Sequence, residues 1–433
     1  MRIALVNHGC AKNLVDAEIM LGILAKKGFN ITLDENEADI AIVNTCSFIH
    51  DAEKESVQSI LKLVQDGKKV VVTGCLAQKY AKELKDAIPE LAGMVGVSDI
   101  KDIATVVERV AQGGEFEELV TETPKYIYPE DVERQQITVG ASSYIKIGEG
   151  CNYRCGYCII PQLRGNYVSR PIENIVKEAK ELVAKGVTEI ILIAQDTSSY
   201  GLDLYKKQAL PELLEELNKI ENLSWIRIMY AYPTMMSDEL LEAIRRLDKV
   251  VKYVDIPLQH SHPRVLEEMK RPVIDNLELV EKIRRMIPNV TIRTSVIVGY
   301  PTETEEEFEH LYNFIKLAKF DRMGAFEYSR EKNTYSYGLK PQVPAKIKKQ
   351  RRKRLMELQQ KISLEANKNF IGTTLECIVE GFDDEGTIIL RSHRDAPEID
   401  GVVYATSEKS VVPGDIEYVE ITGVDEYDLY GQI

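Results

Sequence analysis

Positive charge, cysteine and long apolar runs are all scarce in this chain. Lys and Arg number 55 against 69 Asp and Glu, a formal net charge of −14, which sets aside a uniformly basic nucleic-acid binder. No apolar run approaches the roughly 20 residues that a membrane span needs, so no membrane partner is expected. Seven cysteines in 433 residues are too few for a secreted disulfide scaffold, and no disulfide partner is expected. The opening stretch, MRIALVNHGCAKN, turns polar after a short apolar run, so it is expected to be the first β-strand of a cytoplasmic protein rather than a signal peptide. No short-period repeat is present. What remains is 44% hydrophobic and 29% charged, the composition of a globular chain that buries a large core, and the length suggests about three domains.

Strand and helix patterns alternate over residues 1–115. Arg2–Asn7, Ala38–Asn44 and Lys69–Gly74 read as strands, with helices at Asn13–Lys27, Asp51–Val64 and Gln78–Ala87. That order implies an N-terminal parallel α/β (flavodoxin- or Rossmann-like) domain. Cys10, Cys46 and Cys75 each fall just past the carboxyl end of one of these strands, the edge where open α/β sheets bind ligands. One cysteine there reads as buried packing; three at successive strand ends favour a shared ligand. Residues 116–140 lack periodicity and read as a linker. Residues 141–339 alternate again, with strands at Tyr144–Glu149, Glu189–Gln195, Trp225–Tyr230, Tyr253–Leu258, Thr291–Val298 and Met323–Tyr328, which fits a full or partial (β/α) barrel. Residues 340–370 carry ten Lys or Arg against two Glu and read as a basic helical connection. Residues 371–433 hold three basic and fifteen acidic residues in short β-like runs, a small all-β domain of net charge −12.

The most specific pattern is Gly150-Cys151-Asn152-Tyr153-Arg154-Cys155-Gly156-Tyr157-Cys158, a C-x3-C-x2-C run directly after the first barrel strand. Barrel active sites lie at that rim. Three soft thiolates suit zinc or an iron–sulfur cluster. A closed zinc site wants a fourth ligand, and no Cys or His follows nearby. Three thiolates on a four-iron cluster leave one iron open.

With an aromatic residue, Tyr157, before its last cysteine, the triplet resembles the signature of the radical S-adenosylmethionine superfamily. Preceded by three dispersed cysteines, it resembles the methylthiotransferases of that superfamily, over essentially the whole chain. The resemblance implies a central partial (β/α) radical-SAM barrel, an N-terminal domain with an auxiliary cluster, and a C-terminal TRAM domain. It implies two [4Fe–4S] clusters, one on Cys151, Cys155 and Cys158 and one on Cys10, Cys46 and Cys75, facing one cavity, with S-adenosylmethionine used both as methyl donor and as radical source. Gly9-Cys10-Ala11-Lys12-Asn13-Leu14-Val15-Asp16-Ala17-Glu18 is similar to GCPKNLVDSE of the RimO type, with Ala11 and Ala17 as departures. Cys158 to Pro171 resembles that branch's CIIPxxRGxxVSRP, and Gln195-Asp196-Thr197 to Tyr200-Gly201 its QDTxxYG block. The implied reaction is methylthiolation at the β-carbon of an aspartate in small-subunit ribosomal protein S-twelve, with an electron donor and a sulfur donor as further partners. The other readings are a tRNA adenosine (N6-isopentenyladenosine) methylthiotransferase of the MiaB type, whose GCQMN is absent here, and a non-catalytic iron–sulfur ribosome factor.

Cofactor contacts are expected at Tyr157, Gln195, Asp196, Ser295 and Gly299; for Asp196 a turn that caps the next segment is an equal expectation. Asn13 and Asp16 are expected to support Cys10 or to cap the helix. Arg164 and Arg170 are expected to meet the substrate carboxylate or cofactor, or to pair structurally. His260 and His262 read as structural, and Cys377 as core. Lys346–Arg354 is expected to touch RNA, to pair with the acidic β domain, or to face solvent.

Overall fold

The computed structural model describes every residue except 48, 49, 126, 127, 129, 131–133, 138 and 139. The chain forms two compact units. One comprises Met1–Val139, Gly148–Arg154 and Cys158–Arg170; the other comprises Gly140–Ile147, Cys155–Tyr157 and Pro171–Ile433.

In chain order the first unit begins with β1 (Arg2–Asn7), α1 (Ala11–Lys26), β2 (Asn30–Thr32), β3 (Ile40–Thr45), α2 (His50–Gln65), β4 (Lys69–Gly74), α3 (Cys75–Ala87), β5 (Gly93–Val95), α4 (Ile103–Ala111) and β6 (Glu117–Leu119). Among the described residues the strands form one parallel sheet in the order β2-β1-β3-β4-β5-β6. Every residue of β3 (IAIVNT) is buried, as a strand covered on both faces requires. The order reverses between β1 and β3, and ligands sit at the carboxyl ends of strands at such a switch point. Asn7 pairs with Asn44 and Asn44 with Thr73, so the three strand ends stand level. Of the expected linker, Glu117–Leu119 instead forms the sheet's edge strand β6; several of the linker's other positions lie outside the described residues. The three-residue strands β2, β5 and β6 were too short to show an alternation.

The chain continues through β7 (Ser142–Lys146), β8 (Gly148–Glu149), α5 (Ile160–Arg164) and β9 (Val168–Ser169). The short hairpin pair β8–β9 belongs with α5 to the first unit. Then follow α6 (Ile172–Ala184), β10 (Glu189–Ile193), α7 (Leu210–Asn218), β11 (Trp225–Ile228), α8 (Asp238–Arg246), β12 (Tyr253–Asp255), α9 (Pro263–Glu268), α10 (Asn276–Met286), β13 (Thr291–Val298), α11 (Glu305–Ala318) and β14 (Arg322–Glu327). Among the described residues these give two three-stranded parallel sheets, β7-β10-β11 and β12-β13-β14, and Ile226 of β11 makes an isolated bridge to Val250, just ahead of β12. They form a partial barrel. α11 starts on a capping box: Thr304 Oγ1 accepts from Glu307 N, and the Glu307 carboxylate accepts from Thr304 N.

The 24-residue helix α12 (Ala345–Lys368) leads to β15 (Thr374–Phe382), β16 (Ile388–Ser392), β17 (Val403–Thr406), β18 (Ile416–Val424) and β19 (Leu429–Gln432). These close into a small barrel in the order β15-β16-β17-β19-β18. Cys377 is buried in its core beside Val379, Leu390, Val403 and Val419. The basic stretch of α12 is neutralised on the barrel side: Arg351 pairs with Glu303 at 2.8 Å and Glu305 at 2.9 Å, and Arg354 with Glu309 at 2.6 Å. These partners are not in the acidic β domain.

The β domain seats on the amino ends of the barrel strands. Trp225, first residue of β11, donates from Nε1 to Glu376 at 2.7 Å, and Tyr253, first of β12, donates to Asp400 at 2.6 Å. Arg322, first of β14, donates to Asp395 at 2.7 Å. Glu189, first of β10, is fully buried between Arg391 and Arg227.

Candidate active site

Cys10 is the N-cap of α1, Cys46 follows β3, and Cys75 opens α3 directly after β4. Two of the three sulfurs thus stand at helix amino ends, where the backbone dipole favours a thiolate. Gly74 makes the turn into Cys75 with φ of +90°, and a Cβ there would lie 2.5 Å from the Thr45 carbonyl. The chain ahead of Cys46 is tied in the same way: Thr45 Oγ1 donates to Thr73 O and accepts from Leu76 N. Cys46 N donates to Ser56 Oγ at 3.2 Å.

The polar residues of α1 face inward. Asn13, Asp16 and Glu18 are all buried, and none caps the helix. Asn13 Nδ2 donates to Thr45 O at 2.9 Å, and Asn44 Nδ2 donates to Asn13 O at 2.7 Å. Asn13 Oδ1 lies 4.0 Å from Cys10 Sγ. Glu18 accepts from Arg134 and from Ile137 N. Asp16 pairs with Arg164 at 3.0 Å.

Arg164, on α5, is the hub of this unit and is only 3% exposed. Nη1 also meets Glu149 at 2.9 Å, while Nη2 donates to Asn13 Oδ1 at 2.6 Å and to Cys75 Sγ at 3.6 Å. Ile159 and Leu163 pack with Cys75 and Val97. Burial pushes the Cys75 thiol up, and Arg164 opposes that. Arg170 stands elsewhere: it pairs with Glu130 at 2.8 Å and lies over the Tyr128 ring, which is the structural pairing of its two expected roles.

In the triplet, Cys151 N donates to Gly165 O at 3.1 Å. Gly150, with φ of +80°, leaves no room for a side chain against Asn166 O. In the second unit Cys155 has Arg271 Nη1 at 4.0 Å, and Arg271 lies over the Tyr232 ring. Tyr157 packs with Met269, Tyr300 and Tyr328. Gln195 and Asp196 follow β10. Asp196 is buried and closes a turn, accepting from Ser198 N at 3.0 Å and from the Ser198 and Ser199 hydroxyls. Ser295 lies in β13, and its carbonyl accepts from Gln259 N. Gly299, with φ of +70°, abuts Lys348, and its N–H donates to Glu303 at 2.6 Å. His260 is fully buried, takes the His262 N–H on Nδ1, and is held neutral by burial at about 3.

Each cysteine set offers soft thiols alone. Among the described residues no three His, Cys, Asp or Glu side chains converge on a single metal ion. The donor chemistry fits an iron–sulfur group rather than a hard cation.

Family models agree with this layout. The model described as "Radical SAM superfamily" matches residues 145–315, "Uncharacterized protein family UPF0004" matches residues 2–96, and "TRAM domain" matches residues 371–433. The chain is 49% identical over 436 residues to "Ribosomal protein uS12 methylthiotransferase RimO" of Caldanaerobacter subterraneus subsp. tengcongensis, covering 99% of each chain. The chain belongs to the uS12 methylthiotransferase RimO family. A RimO of Caldicellulosiruptor saccharolyticus is 43% identical over 439 residues, with 100% of both chains covered. The fold resembles that of the radical S-adenosylmethionine methyltransferase TsrM from Kitasatospora setae, with a TM-score of 0.57 at 16% identity over 77% of this chain and 73% of that one. For a RimO chain the radical SAM match implies a [4Fe–4S] cluster and S-adenosylmethionine. Glu149, Thr45 and Arg271 escaped the reading of the RimO-like motifs. Arg271 carried no signal, because Cys155 and the Tyr232 ring, which it meets, lie more than 35 residues away in sequence. Glu149 stood two residues before Cys151 in a strand pattern, where a buried acid announces a partner.

Proposed function

We propose that this chain is a cytoplasmic transferase that methylthiolates the β-carbon of an aspartate in ribosomal protein uS12. The observation that carries this reading is full-length identity of 43–49% to chains named for that activity. No helix is long and apolar enough to cross a membrane among the described residues. Cys151, Cys155 and Cys158 would hold one [4Fe–4S] group, and Cys10, Cys46 and Cys75 a second. When bound, these groups and two S-adenosylmethionine molecules supply the radical, the methyl group and a carried sulfur, with electron and sulfur donors as outside partners. The chain's own part is to place the thiols and shape the loops. Tyr157, Gln195, Ser295 and Gly299 are assigned to S-adenosylmethionine. Asp196 sets the turn after Gln195, and Glu303 holds the loop at Gly299 through two backbone N–H groups and Arg351.

Charge supports a protein substrate over tRNA. Of the three basic residues in 371–433, Arg391 and Arg394 are buried against the barrel. Lys409 is paired with Glu417. Asp395 and Asp400 are buried in the same contact, so the domain keeps its net charge of −12 towards solvent, which favours a basic protein and repels phosphate. The test is an anaerobic assay with reconstituted enzyme, S-adenosylmethionine, sulfide and dithionite, given either the target-loop peptide of uS12 or unmodified tRNA. Mass spectrometry should show H replaced by SCH3 on the peptide only. Modified tRNA with untouched peptide would reverse the assignment.

A further inference from the structure

Two charged residues beside the radical triplet reach the other cysteine set. Glu149 precedes Cys151 by two positions, Arg164 follows Cys158 by six, and they pair at 2.9 Å. Through Arg164 this pair meets Asp16 at 3.0 Å, Asn13 Oδ1 at 2.6 Å and Cys75 Sγ at 3.6 Å. Asn13 in turn holds the carbonyl of Thr45, the residue before Cys46, and lies beside Cys10 Sγ. One guanidinium therefore touches one auxiliary cysteine directly and the surroundings of the other two through Asn13.

The arrangement is more than packing would need. Burying a guanidinium is costly unless its donors are matched, and two carboxylates already match it. The second amino group is directed to sulfur and to the side chain beside the other sulfur. A cation and an N–H donor at a thiolate stabilise the reduced state of a sulfur-ligated group, which carries one more negative charge.

We propose that Arg164 is a positioning residue that sets the reduction potential of the group held by Cys10, Cys46 and Cys75, with Asp16 opposing it. This rests on the assignment of those cysteines to an iron–sulfur group. The test uses the full chain carrying Cys151→Ala, Cys155→Ala and Cys158→Ala, reconstituted with iron and sulfide and titrated under electron paramagnetic resonance. Arg164→Gln should lower the reduction equilibrium constant at least tenfold, a fall of about 59 mV for one electron. Asp16→Asn, which leaves the cation and removes a facing anion, should raise it. Opposite shifts are what a packing role would not produce. Unchanged potentials, or shifts of the same sign, overturn the inference while the assignment stands. If Arg164→Gln takes up no iron, a rise in Asp16→Asn supports the inference and any other result overturns it. If neither variant loads, Arg164 serves the fold alone and the inference fails. A triple-alanine chain that binds no iron overturns the assignment and the inference with it.

Discussion

Glu189→Ala should destabilise the chain by about 3–5 kcal/mol, because it leaves two guanidinium groups buried without their shared carboxylate. Glu189 accepts from Arg227 Nε at 2.8 Å, from Ser142 Oγ at 2.7 Å and from Arg391. Arg227 and Arg391 are no more than 1% exposed. Burial alone would push the Glu189 carboxyl up, but Arg391 and Arg227 outweigh it and hold the group at about 2. The folded value is thus below the unfolded one, so the stabilisation is complete above about pH 4.5 and is lost as pH falls towards 2. The gap in stability between the parent chain and Glu189→Ala should therefore narrow in acid. The chain's single tryptophan, Trp225, is bonded to Glu376 across the same contact, so its emission reports the opening directly. Urea titrations followed at Trp225 provide the measurement. Coincident curves for the two chains would show that the network contributes nothing. Replacing Glu189, Arg227 and Arg391 together with apolar residues should recover much of the loss, since the one carboxylate that loses its partner, Glu380, is part-exposed and can be hydrated.

Gly74→Ala should cost the enzyme about half of its bound iron. A side chain at this position meets two obstacles, a φ of +90° and a Thr45 carbonyl 2.5 Å from the new Cβ. With ψ of −161° the backbone lies in a region essentially reserved for glycine, and the strain alone is on the order of 1–3 kcal/mol. The collision cannot be relieved by a rotamer, because the obstructing atoms are backbone and the amide of Asn44. Relief requires moving Cys75, and with it one thiol of the auxiliary set. Gly186→Ala is the control: φ is +100° there, and nothing lies within 4 Å of the added carbon. Iron content per chain after reconstitution separates the two effects. Equal iron in both variants would mean that Cys75 keeps its place despite the added side chain.

The large features of the fold were legible because they rest on periodicity. Long buried strands such as Ile40–Thr45 and Thr291–Val298 announce themselves as apolar runs. The cysteine loops follow from strand ends, so the candidate ligands could be placed before any coordinate. The short strands Asn30–Thr32, Gly93–Val95 and Glu117–Leu119 carry no pattern of their own and exist because a neighbouring strand supplies the hydrogen bonds. The sequence does not decide the roles of Asn13, Asp16 and Arg164, since a polar residue in a helix reads the same whether it caps, faces water or is buried with a partner 148 positions away. The basic run on α12 is compatible with RNA contact, with pairing to the acidic β domain or with solvent, whereas Arg351 and Arg354 find Glu303, Glu305 and Glu309, which sequence distance conceals.

The inward polar face of α1 has a consequence for the changes this helix can accept. Asn13 and Glu18 are tied to the architecture, since losing either strands a buried carbonyl or guanidinium, whereas losing Asp16 leaves Arg164 with Glu149. One helix is thus under two independent demands, packing at Asn13 and Glu18 and ligand chemistry at Cys10, and a change that satisfies one can fail the other.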